Sequence, residues 1–371
     1  MKKILLLFMM CALLPVAGRA QGTPTEDTFT VSDLTWDSEM DGYYFIVSLE
    51  GSQFYTAYNL DIFLPNGVNV MYDAENGYYV IEETELYVYN KIKKTYSHRL
   101  VCEMPSTHQL RVACYSESST NFTSTEGTLF YVYVTLDNTI LSSSFSPKPI
   151  VKLSGMNLTT SSEVKYVPAD FACRPFTTGI PTERTLPVNV SAANKVGTLI
   201  LPFDASLPSG LKAYTCNAIE GDLLTLTPAA SIEACTPYIV YAESGYSGSL
   251  IGTVDMSADY GTTDVFADGY LTGVLTNTTV STGYILQNQG DGPMFYDAEG
   301  VTFSLPAGRC YLTPGSTSVK SFGFNFGDVD HIEKIFNSQF SIFNLYDLSG
   351  RRVGTPSRGI YINGTRKVVI K

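Results

Sequence analysis

The side chains that most often bind metals are few and scattered in this sequence. There are three histidines, His98, His108 and His331, and neither a His-Glu-x-x-His nor a Cys-x-x-Cys motif occurs. Zinc sites of known spacing use such motifs, because two ligands must reach one ion from neighbouring positions. The sequence therefore predicts no metal site and no bound cofactor.

A serine nucleophile has one candidate motif, Gly245-Tyr246-Ser247-Gly248-Ser249. It departs from the Gly-x-Ser-x-Gly nucleophile elbow at its last position, and it lies between predicted strands with no helix to follow. The surrounding region, residues 188–326, contains no histidine, so a Ser-His-Asp triad cannot form within it. We interpret the motif as a flexible turn.

Paired carboxylates are the better catalytic candidates, because a glycosidase needs only two of them across a cleft. Two loose clusters exist, which are Asp255, Asp259, Asp264 and Asp268, and Glu82, Glu83 and Glu85. Both lie in polar, turn-like segments, where acids usually face solvent or cap the backbone. The first cluster also lacks the EF-hand spacing of a calcium loop. We therefore predict no catalytic residue and keep a carboxylate enzyme as the alternative.

Tyrosine is the more suggestive residue type, with 25 copies beside 20 phenylalanines and one tryptophan. Eight of them crowd the first third of the chain: Tyr43, Tyr55, Tyr72, Tyr78, Tyr79, Tyr87, Tyr89 and Tyr96. Tyrosine joins an apolar face to a polar tip, which suits sugar stacking and protein interfaces. It is also a favoured strand residue, so packing explains most of these positions. A binding platform would use the outward-facing tyrosines of one sheet.

Composition bounds the class of protein. A chain of 371 residues predicts two or three domains. Its net charge of −12 argues against nucleic acid as a partner, because phosphate binding needs clustered basic residues.

Residues 1–20 have the pattern of a signal peptide. Lys2 and Lys3 precede an apolar stretch, residues 4–14, which is too short to span a bilayer. Gly18 and Ala20 place small residues before Gln21, where we predict cleavage. No later stretch is apolar for long enough to form a membrane helix, so the processed chain is predicted to be exported without a transmembrane segment.

Six cysteines follow the signal peptide: Cys102, Cys114, Cys173, Cys216, Cys235 and Cys310. In an exported chain an even number allows three disulfides. Buried free thiols are the other interpretation, since domains of this size do not need cross-links.

Residues 28–172 contain short stretches with β-strand alternation, separated by polar turns. The predicted strands include residues 42–49, 57–64, 86–89, 110–115 and 127–136. This spacing predicts a β-sandwich, and no window keeps the 3.6-residue apolar period of a major helix.

A second β-sandwich is predicted over residues 188–326, where strand-like stretches such as 238–242 alternate with Gly-rich turns. Between the two domains, residues 173–187 contain Pro175, Pro181 and Pro187. Because proline interrupts strand pairing and helices, we interpret this segment as a linker.

The chain ends in a connector, residues 327–340, and a small β unit, residues 341–371. Ile360-Tyr361-Ile362 is predicted to pair with Val368-Val369-Ile370 across Asn363-Gly364, a favoured hairpin turn. Basic residues and no acids follow Leu348, so a basic tail ends an acidic chain.

The order of strands in the first domain resembles that of cohesins and carbohydrate-binding modules, which are jelly-roll sandwiches. The clearest match is the strand ending in Leu64-Pro65-Asn66-Gly67-Val68, followed later by Leu110-Arg111-Val112 and Gly127-Thr128-Leu129. The resemblance implies a jelly roll, and in cohesins one sheet face binds a dockerin. It has no chemical signature from which contact residues can be transferred.

The tail resembles the C-terminal sorting domain of Bacteroidota proteins secreted by the type IX route. Tyr346-Asp347-Leu348-Ser349-Gly350-Arg351-Arg352-Val353, Gly359-Ile360-Tyr361-Ile362 and a basic, apolar last strand match that pattern in order. The resemblance implies that secretion machinery recognises the tail. The residues of that sorting signal would be Tyr346, Asp347, Gly350, Arg351, Arg352, Gly359, Tyr361 and Lys367.

We therefore expect an all-β chain with two tandem β-sandwich domains, of jelly-roll or immunoglobulin-like type, and a small β sorting tail. The expected function is non-enzymatic binding of a glycan or partner protein by a secreted or outer-membrane-surface protein. The alternatives are a glycan-degrading enzyme or its accessory subunit, and a structural surface or adhesion component.

Overall fold

The structure is a computed structural model that describes residues 22–84, 86–87, 89–90, 95–290, 292–298, 300–326, 345–346, 351, 359–363 and 366–370. The predicted signal peptide, the connector 327–340, Glu85, and the proposed sorting residues Asp347, Gly350 and Arg352 lie outside these ranges.

The described chain is nearly all β, which confirms the predicted class. One short helix occurs in it, α1 (Asn138–Ser142), and none of its helices has the length and apolarity to cross a membrane. The chain divides into two compact units. The first contains the described residues up to Ser142, with Lys148–Pro181 and Asp259–Thr263, and the second contains the rest.

The strands described in the first unit are β1 (Thr23–Pro24), β2 (Thr28–Val31), β3 (Thr35–Asp37), β4 (Gly42–Glu50), β5 (Ala57–Phe63), β6 (Val68–Val70), β7 (Tyr72–Asp73), β8 (Tyr78–Tyr79), β9 (Ile81–Glu83), β10 (Tyr89–Asn90), β11 (Thr95–Tyr96), β12 (His98–Ser106), β13 (Gln109–Ser116), β14 (Glu126–Leu136), β15 (Val151–Thr159), β16 (Lys165–Val167) and β17 (Phe171–Cys173).

Two sheets organise these strands. The seven-stranded sheet has the order β1-β16-β15-β5-β13-β12, with β17 also paired to β15. The six-stranded sheet has the order β2-β4-β14-β6, with β3 on β4 and β9 on β14. The pairs β7-β8 and β10-β11 form separate hairpins.

The core of the first unit lies between these two sheets. Tyr58 of β5 packs against Phe29 of β2 and Phe130 of β14, with ring centroids 6.1 and 5.9 Å away. Such aromatic contacts bury large apolar areas and favour offset or edge-on geometry. In β14 a bulge after Thr128 leaves both Leu129 and Phe130 buried, so the predicted strict alternation is interrupted there.

The strands of the second unit up to residue 326 are β18 (Glu183–Val190), β19 (Val196–Leu199), β20 (Ala205–Ser206), β21 (Lys212–Glu220), β22 (Leu223–Ala229), β23 (Ser231–Ile232), β24 (Tyr238–Tyr241), β25 (Tyr246–Thr253), β26 (Val265–Asp268), β27 (Leu271–Val274), β28 (Thr278–Val280), β29 (Tyr284–Asn288), β30 (Pro293–Asp297), β31 (Phe303–Leu305), β32 (Arg309–Leu312) and β33 (Ser321–Asn325).

Ten of them form one sheet, in the order β19-β24-β21-β22-β33-β30-β29-β32-β27-β26, with β22 and β33 parallel. The sheet folds back on itself, because β19 lies beside β32. The Ile200 amide donates to the Gly308 carbonyl at 3.2 Å, and the Cys310 amide donates to Thr198 Oγ1 at 3.0 Å. The fold encloses a core that contains Tyr214, Leu224, Ile239, Phe295 and Phe322.

The segment 173–187 differs from the predicted linker at both ends. Cys173 belongs to β17, and β18 begins at Glu183. Pro187 lies inside β18, opposite Ser249 of β25. A proline is accommodated there because β18 pairs along one edge only, so the missing N–H can face the open edge.

A second difference concerns residues 86–89, which the sequence predicted as a strand. Leu86 and Tyr87 form a buried turn, and a strand begins at Tyr89. Their apolar character therefore reflects burial in a turn.

The tail forms a three-stranded antiparallel sheet from β34 (Leu345–Tyr346), β35 (Gly359–Asn363) and β36 (Arg366–Ile370). Ile360 pairs with Val369 and Tyr361 with Val368, which confirms the predicted strand pairing. The predicted turn position is wrong for Asn363, because this residue belongs to β35 and pairs with Arg366.

Candidate functional site

The outward face of the seven-stranded sheet carries an ordered array of side chains, which we call the sheet face. Alternation along β5 directs Asn59, Asp61 and Phe63 away from the core. The same alternation directs Arg111 of β13 outward. Because paired strands keep residues of one register on the same side, these side chains form rows across the sheet.

The central row crosses four strands. Register places Ser154 of β15, Asp61 of β5, Arg111 of β13 and Glu103 of β12 side by side. Arg111 Nε donates to Asp61 Oδ1 at 2.8 Å and its Nη2 to Oδ2 at 3.2 Å, while Nη1 lies 3.4 Å from Glu103 Oε1. The hydrogen bonds to Asp61 raise the pKa of Arg111 and hold its guanidinium in one orientation.

Apolar side chains lie on either side of this row. Phe63 and Val101 occupy positions diagonal to Arg111, and they remain 38% and 41% exposed. Exposed apolar residues around an oriented arginine give the face the composition of an interface centre.

A hollow of about 520 Å³ opens beside the row. The register between β15 and β5 shifts between Ser154 and Asn157, and Gly155 adopts a φ of 62° in this bulge. Asn59 and Asn157 both donate their side-chain amides to the Gly155 carbonyl, at 3.4 and 3.0 Å. Lys165 contributes a cation to the wall. The bulge thus creates a concave polar site in an otherwise flat face.

The tyrosines predicted as candidates do not share one sheet face. Tyr55 and Tyr87 are buried, and Tyr43 contacts Trp36 with ring centroids 4.8 Å apart. The others lie on the two small hairpins, with Tyr72, Tyr78 and Tyr79 on β7-β8 and Tyr89 and Tyr96 on β10-β11. The tyrosines on the outer side of the six-stranded sheet are different residues, namely Tyr44, Tyr131 and Tyr133, of which Tyr133 is covered and buried.

Several acids of the two predicted clusters serve local structure. Asp255 accepts hydrogen bonds from the Ser257 amide and hydroxyl, and Asp259 accepts from the Gly261 amide at 2.8 Å. Asp264 is buried and accepts from Ser146 Oγ. Asp255 and Asp259 thus have the turn-capping role that short acidic side chains usually have, whereas Asp264 bonds a residue 118 positions away in the chain. Within the described ranges, no three His, Cys, Asp or Glu residues converge as metal ligands would.

His98 is a core residue. Its ring lies 5.4 Å from Tyr87 and 4.7 Å from Phe122, and its Nδ1 is 2.8 Å from Ser97 Oγ. Burial lowers the pKa of His98, so the ring is neutral at physiological pH. His108 lies in the turn between β12 and β13, and His331 is outside the described residues.

All six cysteines are free thiols in the structure. Cys102 and Cys114 are on neighbouring strands but out of register, since Cys102 faces Val112 and Cys114 faces Leu100. Burial raises the pKa of the Cys102 thiol to about 11, which makes it unreactive at neutral pH. Of the two arrangements that the sequence allowed, the structure has free thiols, three of them buried and three half-buried.

No family model matches the chain, and no curated protein matches it either. Solved structures similar to this chain include cohesin modules. One is a non-cellulosomal cohesin from Archaeoglobus fulgidus, 16% identical over 40% of this chain and 89% of its own, with a TM-score of 0.26.

Two others come from Acetivibrio cellulolyticus. The sixth cohesin of scaffoldin B, in complex with a dockerin, is 13% identical over 40% of this chain and 97% of its own, with a TM-score of 0.30. A type II cohesin dyad is 8% identical over 81% of this chain and 98% of its own, with a TM-score of 0.25. At these identities and TM-scores, the likeness says nothing about ligand or partner, and the fold follows from the strand pairing itself.

Sequence reasoning missed the residues of the sheet face. Asp61, Arg111 and Glu103 are separated by up to 50 positions along the chain, and only the pairing of three strands brings them together. Alternation within β5 and β13 was visible in the sequence, but the register between the two strands was not.

Proposed function

We propose that this chain is a non-enzymatic binding protein whose first unit engages a partner protein through the sheet face. The observation that supports this proposal is Arg111, held by Asp61 and Glu103 between the exposed side chains of Phe63 and Val101. Arginine and aromatic residues are enriched at the centres of protein interfaces, where they contribute most of the binding energy.

The charges of the sheet face are fixed before any partner arrives. Since Arg111 bonds Asp61 with two nitrogens, a partner meets an ordered pattern of charge and does not have to immobilise flexible side chains. Such a pattern selects partners of complementary charge and sets their orientation. The adjacent hollow, with Lys165 and Asn157 in its wall, can accept one projecting side chain of the partner.

The experiment compares the full chain with Arg111→Glu and with Lys320→Glu. Both changes reverse an exposed cation that is ion-paired, since Arg111 contacts Asp61 and Glu103 and Lys320 Nζ lies 3.5 Å from Asp297 in the second unit. Proteins captured from the surrounding medium and cell surface are identified by mass spectrometry. We expect a species that binds the original chain and Lys320→Glu and is lost with Arg111→Glu.

An identical set of captured proteins for all three chains would overturn the proposal. A carboxylate enzyme is tested on the same preparations by measuring release of reducing sugar from polysaccharides. Release that survives Arg111→Glu would favour that alternative.

We further propose that the chain is exported and sorted to the cell surface or medium by its basic tail. The supporting observations are the predicted signal peptide and the three-stranded sheet of the tail, whose last strand contains Lys367. A chain ending at Asp330, and a chain in which Arg351, Arg352 and Lys367 are replaced by serine, should accumulate inside the cell envelope. Normal delivery of both would contradict this assignment.

A further inference from the structure

The second unit contains a hollow of about 490 Å³ that the proposed function does not use. It lies where β29 separates from β32, since these two strands pair only through Tyr284 and Leu312. The adjoining strand β19 is at the end of the ten-stranded sheet and closes the opposite side. Its volume falls in the range of small-ligand sites, about 300–1,000 Å³.

The polar lining of this hollow consists of neutral hydrogen-bonding side chains and one arginine. These residues are Asn189, Ser191, Asn194, Thr198, Gln287, Asn288, Ser304 and Arg309. Among the residues that the structure describes, its lining contains no Asp, Glu, Lys or His, although the chain as a whole has 36 acidic residues and a net charge of −12. The hollow is therefore a locally positive site in an acidic protein.

Arg309 supplies this positive charge. Its Nη1 donates to the Thr198 carbonyl at 3.0 Å, which fixes the guanidinium against β19. Among the described residues, no carboxylate lies within ion-pair distance of it. A guanidinium has five N–H donors in a planar fork that fits a carboxylate with two parallel hydrogen bonds. A partly buried cation without a counter-ion favours an anionic ligand.

Three carboxamides of the lining are held in place by side-chain hydrogen bonds. Asn288 Nδ2 donates to Asn194 Oδ1 at 2.8 Å, and Ser247 Oγ donates to Asn189 Oδ1 at 2.8 Å. Each carboxamide has two donor hydrogens and an acceptor oxygen, so these bonds leave capacity for a ligand. Groups of this kind bind hydroxyls, which both donate and accept.

The rest of the wall is apolar, and it includes Ile285, Leu286, Pro293, Leu305 and Pro306. This surface can contact the C–H face of a saturated ring. The hollow therefore combines a guanidinium fork, several hydroxyl-binding groups and an apolar surface within the space of one or two sugar rings.

We propose that the second unit binds a sugar that carries a carboxylate, such as a hexuronic acid, with Arg309 on the carboxylate and the carboxamides on the ring hydroxyls. The site is independent of the sheet face, since every residue of its lining belongs to the second unit.

The test is calorimetric titration of the full chain with glucuronate, glucose and acetate. Glucose lacks the carboxylate and acetate lacks the ring, so each removes one part of the expected recognition. We expect glucuronate to bind at least about tenfold more tightly than either, because a charge-assisted hydrogen bond and the ring contacts contribute together. Equal binding of glucose, or of acetate, would overturn the proposal, as would no detectable binding of glucuronate at millimolar concentration.

Two variants locate the site. Arg309→Gln removes the fork and should weaken glucuronate binding by at least about tenfold. Asn194→Asp adds a negative charge to the same wall but keeps the oxygen that accepts from Asn288, so it should weaken binding without removing that hydrogen bond. Arg99→Gln, an exposed change in the first unit, is the matched control and should leave the affinity unchanged. If Arg309→Gln lowers stability, the affinity of Asn194→Asp for glucuronate is used in its place. An unchanged affinity in Asn194→Asp would overturn the proposal.

Discussion

Arg111 and Arg309 are both partly exposed arginines on strands, yet the structure treats their charges in opposite ways. Arg111 has Asp61 and Glu103 on neighbouring strands, so its charge is compensated before a partner binds. In the described part of the chain, Arg309 contacts the Thr198 carbonyl and a wall of neutral side chains. The first arrangement presents a neutralised pattern to a surface, and the second leaves a cation for a ligand to compensate.

Asp27 shows that a lone charge can also be fully satisfied within the chain. It is 4% exposed and has no cationic partner among the described residues, but Tyr55 Oη donates to its carboxylate and the Ser52 amide donates at 2.8 Å. Burial alone would raise the pKa of Asp27, and the hydrogen bonds outweigh it and lower the pKa. Among the described residues Arg309 has one such bond, to the Thr198 carbonyl, and a guanidinium has four further N–H donors.

The side chains of the sheet face should contribute little to stability, which the buried residues on the other side of the same strands provide. Two neighbouring residues of β5 test this. Ile62 is fully buried, so Ile62→Ala should lower the free energy of unfolding by about 2–5 kcal/mol. Phe63 is 38% exposed, so Phe63→Ala should cost well under about 1 kcal/mol and weaken partner binding. Urea unfolding followed by fluorescence measures both.

Equal destabilisation by the two changes would show that Phe63 is part of the core. The sheet face would then lose one of its two exposed apolar contacts. Val101→Ala, which is on β12 and 41% exposed, serves as the second surface control.

Asp27→Asn tests whether hydrogen bonds compensate the buried charge of Asp27. It should lower the free energy of unfolding by about 1–3 kcal/mol, because the buried side chain loses its charge-assisted hydrogen bonds. The folded-state pKa is lower than the usual value of 3.8, so the contribution is complete above that value and is lost as the pH falls below it. The free energies of unfolding of the original chain and of Asp27→Asn should therefore differ most at neutral pH and become similar in acid. A difference that persists unchanged to the lowest pH at which both fold would refute this account.

The sequence predicts the elements of this protein better than their contacts. Alternation in β4 and the pairing of Ile360 and Tyr361 with the last strand lead to correct local structure. Each is a short-range signal, because side-chain period and turn chemistry act over a few residues.

What the sequence does not predict depends on pairing between distant segments. Thr198 and Arg309 are 111 positions apart, and they meet only because the ten-stranded sheet folds back on itself. Pro187 was interpreted as part of a linker because proline usually ends a strand, but it lies inside β18, where an open edge accommodates it. Both candidate sites depend on register, which a single sequence encodes weakly.

The smallest expected effect is the coupling between Arg111 and Asp61, measured by a double-mutant cycle with Arg111→Ala and Asp61→Ala. Because the Arg111 side chain is 48% exposed, solvent screens the pair and the coupling should be about 0.2–1 kcal/mol, falling as salt is added.

A second double-mutant cycle, with Asn194→Asp and Arg309→Gln, tests whether an acid introduced at position 194 forms an ion pair with Arg309. Asn194→Asp should lower the free energy of unfolding less in the original chain than in the Arg309→Gln background. Equal cost in both backgrounds would mean that Arg309 is already compensated, and the contrast between the two arginines would fail.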